Sequence, residues 1–367
     1  MSGKRTPFYD LHISLKAKMT DFAGFEMPVH YSEGINAEHK VVRTGVGVFD
    51  VSHMGEFEIT GPDRNAFANR VTCNDVAALQ DGQAQYSALL NEDGTFADDC
   101  LVYRFADKIM LVVNAANIDK DWAMIVSKKA GINVRLRNIS DNVALLAVQG
   151  PKSEELVQSL TDLKLSKMGY YHFESGKVGG IDCFVSRTGY TGEDGFELYF
   201  RSVDAEVMGS TLIGHGRGEP IGLGARDSLR LEAGYPLYGH DIDDTVNPYE
   251  AGLGWIVKLD KGAPFTGKAQ LQTIKRQGVK RKLVGFKMSE KGSIPRHGYD
   301  VYLKNQRVDT VRSGGFGPSL GEAIGTTYLP DHSVDPGTAI EIDCRGKRVG
   351  AEVVKMPFYK NGSVKKA

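Results

Sequence analysis

The chain has 367 residues, with 45 Lys and Arg against 46 Asp and Glu, so its formal net charge is −1. This near balance does not favour a protein that binds nucleic acid or lies on a membrane surface, because both usually need an excess of basic residues. The length predicts two or three domains rather than one core. The four cysteines are scattered without a CxxC pair, the histidines show no metal-ligand spacing, and neither a signal pattern nor a long apolar run is present. We therefore expect a soluble cytoplasmic protein with reduced thiols and no metal site.

The first three quarters of the chain predict an irregular mixture of helices and strands. In chain order we expect a turn-rich stretch over 22–28, a helix over 37–43, a strand over 55–60, a helix after the turn at 61–63, strands over 87–90, 100–105 and 109–113, a helix from an Asn117 cap through Lys128, a strand over 143–149, a helix over 153–160, strands over 183–187 and 195–200, and helices over 204–213 and 222–234. Because strand and helix alternate without a steady βαβ period, this pattern favours an α+β fold over a doubly wound parallel sheet.

The pattern of predicted elements changes after residue 261. A helix over 268–277 and a basic run at 280–282 are followed by short predicted strands over 283–288, 300–303, 308–311, 323–328, 339–343 and 351–355. Several short strands with Gly, Pro and Asn between them indicate a small β-barrel or sandwich. We place the boundary near Gly278, which divides the chain into domains 1–278 and 279–367.

Two adjacent acids, Asp98 and Asp99, stand just before the strand predicted over 100–105. A hairpin turn at 91–94 precedes them. Neighbouring residues of a strand point to opposite faces, so only one of the two carboxylates can face a given pocket. Position alone favours a solvated turn for the pair. A carboxylate placed among apolar strands instead would cost free energy unless a functional or structural partner interacted with it.

The stretch 186–197, SRTGYTGEDGFE, is unusually dense in glycines and acids. Its glycines are not in the GxGxxG register of a dinucleotide loop. A turn of this kind brings backbone and an acid close to a flat polar ligand. Glu197 could accept two hydrogen bonds from an aminopyrimidine edge; the alternative is a solvated turn glutamate.

The segment 222–234, GLGARDSLRLEAG, predicts a helix in which Arg226 and Arg230 lie one turn apart. Arginine forks suit carboxylate ligands. The alternative is structural ion pairing, of Asp227 with Arg230 or of Arg226 with Glu232.

His53 is the only histidine inside a dense motif, FDVSHMG at 49–55. A lone histidine of this kind is expected to be a hydrogen-bonded core residue rather than a catalyst. A Ser/His/Asp hydrolase is disfavoured, because no G-x-S-x-G nucleophile elbow occurs.

Many segments, taken in order along the chain, resemble the aminomethyltransferase (T-protein) family of the glycine cleavage system. They are RTPFYDLH at 5–12, DFAGFEMPVHY at 21–31, FDVSHMGEFE at 49–58, QYSALLNEDGTFADD at 85–99, LVVNAANIDKDW at 111–122, SRTGYTGEDGFE at 186–197, GLGARDSLRLEAGYPLYGHD at 222–241, AGLGWIVKLDK at 251–261, KRKLVGF at 280–286 and VVKMPFY at 353–359. The agreement of so many segments in order is specific, although no single segment would be.

The resemblance implies a three-lobed cloverleaf that binds tetrahydrofolate, with two α+β lobes in the first domain and a C-terminal β-barrel. It also implies a reaction of glycine catabolism. The aminomethyl group on the dihydrolipoyl arm of H-protein is converted, with tetrahydrofolate, to ammonia and 5,10-methylenetetrahydrofolate, which leaves dihydrolipoyl H-protein. The implied partners are lipoylated H-protein and folate, without a metal, and we expect a monomer.

The resemblance further implies that Asp99 is the catalytic carboxylate. The implied folate-binding residues are Tyr86, Tyr103, Asn114, Tyr170, Tyr171, Tyr190, Glu197, Arg226 and Tyr235. In this hypothesis Asp99 orients the pterin, stabilises an iminium-like transition state and relays a proton. Glu197 and Arg226 would anchor the pterin and neighbouring groups, and the tyrosines would sandwich its ring.

Two related functions are alternatives. A folate-dependent demethylase of a sulfonium or N-methyl compound would share the fold and much of the pocket, but the intact NEDG…DD and ARDSLRLEAG motifs favour aminomethyl transfer. A folate-binding accessory protein of iron–sulfur assembly, which is not an enzyme, carries a cysteine in a KGCYxGQE-like motif. This chain has Gly189-Tyr190 at that place and no cysteine, which disfavours the accessory protein.

Overall fold

The computed structural model describes residues 3–364, except for the side chain at position 215. Within that range, strands in four sheets alternate irregularly with eight α-helices. The strands are β1 (Lys4–Arg5), β2 (Lys18–Phe22), β3 (Phe25–His30), β4 (Gly47–Asp50), β5 (Gly55–Thr60), β6 (Gln83–Leu90), β7 (Phe96–Arg104), β8 (Lys108–Val113), β9 (Arg135–Asn138), β10 (Val143–Gln149), β11 (Phe173–Val178), β12 (Ile181–Ser186), β13 (Gly195–Arg201), β14 (Glu219–Ile221), β15 (Arg281–Met288), β16 (Asp300–Leu303), β17 (Gln306–Thr310), β18 (Gly314–Gly317), β19 (Glu322–Pro330), β20 (Ala339–Cys344) and β21 (Lys347–Val354). The helices are α1 (Tyr9–Ser14), α2 (Ile35–Thr44), α3 (Arg64–Val71), α4 (Ile118–Ser127), α5 (Ser153–Gln158), α6 (Ala205–Ile213), α7 (Leu223–Glu232) and α8 (Lys268–Gln277). The predicted α+β class is confirmed.

A five-stranded antiparallel sheet in the order β6-β7-β8-β5-β9 carries the acid pair. The predicted turn at 91–94 joins β6 to β7, and Gly94 adopts a φ of +84°, which a side chain would strain. Strand β8 lies between β7 and β5, and its apolar run 109–113 is buried, as predicted. Strand β7 begins at Phe96, earlier than the sequence predicts. Both acids therefore lie inside a strand and not in a turn.

A six-stranded sheet in the order β11-β12-β13-β10-β4-β14 forms the second lobe, with β14 parallel to β4 and all other neighbours antiparallel. Helices α2 and α7 pack against each other beside it. The backbone N–H of Gly222 donates to Glu38 Oε2 at 2.8 Å, and Gly234, with a φ of +69°, follows the end of α7. The sequence predicts this helix correctly from its flanking glycines.

The stretch 22–28, predicted to be rich in turns, is mostly strand. Strands β2 and β3 form a hairpin in the small sheet β1-β3-β2. Its turn is confined to Ala23 and Gly24, whose φ angles are +54° and +82°. Two successive positive φ angles match the right-handed twist of a hairpin, so a two-residue turn suffices.

The C-terminal sheet has the order β17-β16-β20-β21-β15-β19-β18 and is antiparallel. It curls until β17 contacts β19, where the Thr327 hydroxyl donates to the Thr310 carbonyl oxygen at 3.0 Å. This curled sheet is the predicted small barrel. Strand β18, of sequence GGFG, is absent from the predicted strands because glycine has a low strand propensity. Helix α8 ends at Gln277 and β15 begins at Arg281, so Gly278 lies in their connection, but the division into domains 1–278 and 279–367 stays a prediction.

Charged contacts hold the lobes together next to the site. Arg43 of α2 pairs with Glu193 of the 186–197 segment at 2.8 Å and with Glu232 of α7 at 2.9 Å. Ser363, beyond the barrel, donates its hydroxyl to Glu193 at 2.6 Å. Elements of the second lobe and the chain beyond the barrel are therefore tied to one another around the same point.

Candidate active site

The three lobes surround a cavity of about 550 Å³, which is within the usual size of a small-molecule site. Of the ten residues that the sequence implies for the site, nine line this cavity. They are Tyr86, Asp99, Asn114, Tyr170, Tyr171, Tyr190, Glu197, Arg226 and Tyr235. They come from strands of two different sheets, from α7 and from the connections between elements, so folding brings together segments that are far apart in the chain. Their roles in binding and catalysis stay predictions.

Asp99 lies in β7 with its carboxylate at the cavity wall. Tyr86, on the neighbouring strand β6, donates its hydroxyl to Asp99 Oδ2 at 2.8 Å. The side-chain amide of Asn114 donates to Asp99 Oδ1 at 2.7 Å. Because each oxygen has its own donor, the carboxylate is held in one orientation at the wall.

Asp98 points away from the cavity, as the alternation of a strand requires, and is 0% exposed. Its carboxylate accepts hydrogen bonds from the backbone N–H of Asn114 at 3.0 Å, from the Asn114 side chain at 2.8 Å and from the Asn117 side chain at 2.7 Å. The sequence predicts Asn117 as the cap of helix α4, but its side chain makes no cap hydrogen bond. Its amide binds the buried acid instead.

The electrostatics of Asp99 follow from this burial. Burial raises the pKa of Asp99 to about 7, and the neighbouring charge of Asp98 acts in the same direction, while the hydrogen bonds from Tyr86 and Asn114 oppose the shift. A carboxyl group of this kind can gain or lose a proton near neutral pH, where acid–base catalysis is most effective.

Glu197 begins the regular part of β13 at the cavity wall and is only 8% exposed, so the alternative of a solvated turn glutamate does not apply. The hydroxyl of Thr188 donates a short hydrogen bond to its Oε2. Burial raises the pKa of Glu197, while the Thr188 hydrogen bond and the charge of Arg226 oppose the shift. A buried carboxylate with few donors has the capacity to accept hydrogen bonds from a ligand.

Arg226 faces the cavity, and its guanidinium lies 4.6 Å from the centre of the Tyr190 ring. No hydrogen bond or ion pair joins that guanidinium to the described part of the chain; the alternative of a pair with Glu232 is wrong, because Glu232 pairs with Arg43. Burial lowers the pKa of Arg226. A partly buried guanidinium without a hydrogen-bonding partner in the described range suits a ligand that offers an anion or a strong acceptor.

Arg230, one turn further along α7, has the structural role that the sequence offered as its alternative. It pairs with Asp227 at 2.7 Å and with Asp241 at 2.8 Å. Its guanidinium is therefore satisfied within the protein, and only the first arginine of the motif reaches the cavity.

Several aromatic rings form part of the remaining wall. Tyr190 and Tyr235 lie nearly parallel, with ring centres 5.8 Å apart and an interplanar angle of 27°. Tyr170 and Tyr171 meet edge to face at 4.7 Å. A wall of this composition is suited to a flat ring system with polar edges.

The structure places Tyr103 elsewhere. It is 0% exposed and does not line the cavity. Its hydroxyl lies 3.1 Å from the Tyr199 hydroxyl and 3.5 Å from Glu197 Oε2. Tyr103 therefore stands behind the cavity wall next to Glu197, and its predicted role in folate binding stays a prediction.

His53 and Trp255 are among the cavity-lining residues outside the predicted set. His53 lines the cavity and is buried, as expected for a core histidine, but its Nδ1 atom has no hydrogen-bond partner among the described residues. Burial and the charge of Arg226 lower the pKa of His53 to about 4, which keeps the imidazole neutral. Trp255 is 59% exposed and lies 6.1 Å from the Tyr86 ring, at the edge of the cavity. The family segment AGLGWIVKLDK, which contains Trp255, is the sequence signal that could have indicated this position.

Known proteins resemble this chain along nearly its whole length. The family model described as the GCVT N-terminal domain matches residues 8–261, and the model described as the glycine cleavage T-protein C-terminal barrel domain matches residues 281–360. The chain belongs to the glycine cleavage T-protein family. The predicted family and its cloverleaf with a C-terminal barrel are thus confirmed.

Individual relatives agree with the family models. The aminomethyltransferase of Flavobacterium psychrophilum is 50% identical over 363 residues, which cover 97% of this chain and 99% of the relative. The aminomethyltransferase of Phocaeicola vulgatus is 48% identical over 363 residues, which cover 97% of this chain and all of the relative. The crystal structure of the glycine cleavage system aminomethyltransferase T from Bartonella henselae superimposes with a TM-score of 0.94 at 34% identity, and the match covers 99% of this chain and 100% of that one.

The helices in the described range are all too short or too polar to cross a membrane.

Proposed function

We propose that this protein transfers the aminomethyl group carried by a lipoylated H-protein to tetrahydrofolate, with release of ammonia. Relatives named aminomethyltransferase, which match at 47–50% identity over 97% or more of the chain, support this activity. The observation that carries the proposal is the carboxyl group of Asp99, which faces a cavity lined by aromatic rings and has its pKa raised to about 7.

The composition of the cavity fits tetrahydrofolate as the second substrate. A pterin presents a flat ring whose aminopyrimidine edge donates hydrogen bonds, and the buried Glu197 carboxylate is the acceptor that such an edge needs. The neighbouring rings of Tyr190 and Tyr235 offer an aromatic surface on which one face of the pterin can pack. Arg226, whose guanidinium has no hydrogen bond among the described residues, supplies a positive donor for an acceptor or a carboxylate of the same ligand. These contacts support the implied folate roles of the cavity-lining residues, whereas Tyr103 acts through Glu197.

In the proposed chemistry, two bonds to the methylene carbon form and two break. Two nitrogens of tetrahydrofolate form bonds to this carbon, while its bonds to the amino nitrogen, which leaves as ammonia, and to the lipoyl sulfur break. The two N–H protons of the folate end on ammonia and on the lipoyl thiol. Positive charge develops on the iminium-like carbon and nitrogen, and an ionised Asp99, held by Tyr86 and Asn114, can stabilise this charge. Asp99 can also move a proton from the attacking folate nitrogen to the amino nitrogen that leaves as ammonia.

The proposal extends to partner and compartment. The lipoyl arm of H-protein would enter the cavity, and the protein would act as a monomer outside its complex with H-protein. All four cysteines of the chain are free thiols, which supports the reducing cytoplasm as the compartment.

The test is incubation of the full chain with aminomethylated H-protein and tetrahydrofolate, with ammonia and the folate product both measured. We expect ammonia and 5,10-methylenetetrahydrofolate in equal amounts. Methyltetrahydrofolate would instead indicate a demethylase, and the absence of ammonia would refute the proposed function.

The role of Asp99 is tested separately with Asp99→Asn. This variant should bind tetrahydrofolate and lose roughly a hundredfold or more in rate, as is usual for the loss of an acid–base group. Asp107→Asn, which changes an exposed acid near the start of β8, is the matched control and should keep the native rate. Near-native transfer by Asp99→Asn would show that another group does this work.

A further inference from the structure

A third carboxyl group lies against the buried side of the acid pair. Asp121, on helix α4, is completely buried and lies close to the carboxyl of Asp98. Neither oxygen of Asp121 accepts an N–H or a donor hydroxyl from the described residues. Asp98, in contrast, accepts three N–H groups from Asn114 and Asn117. The two buried acids therefore have opposite surroundings, one rich in donors and the other without any.

This asymmetry decides which acid carries the charge. An ionised Asp121 would be a buried anion without a donor, placed directly against a second anion, and both features are unfavourable. A proton on Asp121 removes the charge and turns the group into a donor to Asp98. Consistent with this, burial and the charge of Asp98 raise the pKa of Asp121 to about 10.

The other titratable groups nearby do not reverse this assignment. Lys120 is the one cation among the groups that act on Asp121, and its ammonium donates to the Ala97 carbonyl oxygen at 2.5 Å and to the Tyr238 hydroxyl at 3.1 Å. The charge of Asp99 raises the pKa of Asp121 further. Cys100 and Tyr238, which also lie within reach of the acids, are themselves made harder to ionise by burial.

Asn114 links the buried acids to the cavity. Its side-chain amide donates to Asp98 Oδ1 at 2.8 Å and to Asp99 Oδ1 at 2.7 Å. We propose that Asp121 is a positioning residue that stays protonated at neutral pH and donates a hydrogen bond to the ionised Asp98. Asp98 then holds the side-chain amide of Asn114, and this amide orients Asp99. The effect of this proton on the reaction rests on the proposed function, whereas its presence does not.

The proton is tested without any activity measurement. Infrared difference spectra of the wild-type protein and Asp121→Asn, recorded at neutral pH, should show that the substitution removes the carbonyl stretching band of one protonated carboxylic acid. Asp119→Asn, which changes an exposed acid on the same helix, is the control and should remove an ionised carboxylate band instead. Loss of only a carboxylate band in Asp121→Asn would overturn the proposal.

Positioning is tested by comparing two substitutions of similar size. Asp121→Leu removes the donor, so transfer should fall roughly tenfold to a hundredfold in kcat, with a smaller change in the KM for tetrahydrofolate. Asp121→Asn keeps a neutral donor, so it should restore most of the rate, and the acidic limb of its pH–rate profile should lie where that of the wild-type protein lies. If Asp121 were ionised, the asparagine would remove a negative charge, and the limb would move to lower pH.

The outcomes separate this proposal from the proposed function. If wild-type protein releases no ammonia but the protonated-acid band is lost in Asp121→Asn, the proposed function fails and the shared proton stands. If wild-type protein is active and Asp121→Leu transfers at the native rate, the positioning role fails and the proposed function stands. Should Asp121→Leu not fold, the pH–rate profile of Asp121→Asn and the infrared spectra still decide the matter.

Discussion

The Asp99→Asn variant is expected to be more stable than the wild-type protein at neutral and alkaline pH, although it loses transfer activity. The wild-type carboxylate is ionised at high pH in a place where burial and the charge of Asp98 oppose ionisation. Asparagine removes that charge and keeps the local hydrogen bonds. Its amide oxygen can accept from Asn114, and its amide nitrogen can donate to the hydroxyl oxygen of Tyr86.

The magnitude follows from the pKa of Asp99, which rises from 3.8 to about 7 on folding. This rise of about three units corresponds to about 4 kcal/mol at 1.36 kcal/mol per unit. Because the pKa of the folded state is raised, the wild-type protein keeps its full stability only below the unfolded value and loses it progressively up to about pH 7. The advantage of Asp99→Asn should therefore grow by about 1.4 kcal/mol per pH unit between about pH 4 and pH 7 and then stay level. A hydrogen bond that the amide makes less well would reduce the plateau by about 1 kcal/mol, to about 3 kcal/mol.

The assay is urea unfolding, followed by the fluorescence of the two tryptophans, at a series of pH values from roughly 5 to 8.5. The free energies of unfolding of the wild-type protein and Asp99→Asn are compared at each pH. Asp107→Asn is the control, and its difference from the wild-type protein should be small and independent of pH. A difference for Asp99→Asn that does not change with pH, or a loss of stability at pH 8, would refute the reasoning about the buried charge.

Four further outcomes are expected. The transfer rate should fall as the pH drops below about 7, because Asp99 becomes protonated; a rate that is constant down to pH 5 would contradict a carboxylate role. Glu197→Gln should raise the Kd for tetrahydrofolate roughly tenfold to a hundredfold, measured by calorimetry, since it replaces a charged acceptor; an unchanged Kd would remove Glu197 from the pterin site. Arg226→Met should weaken folate binding yet raise the free energy of unfolding by about 1 kcal/mol, because the pKa of Arg226 is lowered by burial and its guanidinium has no hydrogen bond among the described residues; a less stable protein would contradict this. Tyr103→Phe should lower the free energy of unfolding by about 1 kcal/mol and change the folate Kd less than about threefold, because its hydroxyl lies behind the cavity wall; a tenfold change in Kd would return Tyr103 to the binding site.

Much of the secondary structure is predictable because its signals are local. Helix α8 and strands β10 and β16 have the predicted bounds, and α7 is recognised from the glycines at its ends. The misses have local causes as well. Strand β18 consists largely of glycine, which gives no strand signal, and the β2–β3 hairpin lies in a sequence whose turn residues outweigh its strand residues.

The predicted site residues also show what sequence motifs can indicate and what they cannot. The family motifs single out nine residues that the structure finds at the cavity, yet they do not separate Tyr103, which stands behind Glu197, from the residues that line the cavity. The pattern around His53 is typical of a core histidine, and only the packed structure shows that the ring borders the cavity and lacks a partner at Nδ1.

By itself, the sequence indicates that the acids at 98 and 99 would face opposite sides if both lay in a strand, because neighbouring strand residues point to opposite faces. It also determines the family, through motifs that run in order along the chain. Only the tertiary structure decides that Asp99 faces the cavity, that Asn117 and Asp121 of helix α4 surround Asp98, and that the pKa of Asp99 is raised to about 7. These properties depend on burial and on charges that come from separate segments, and no local pattern contains that information until the chain is packed.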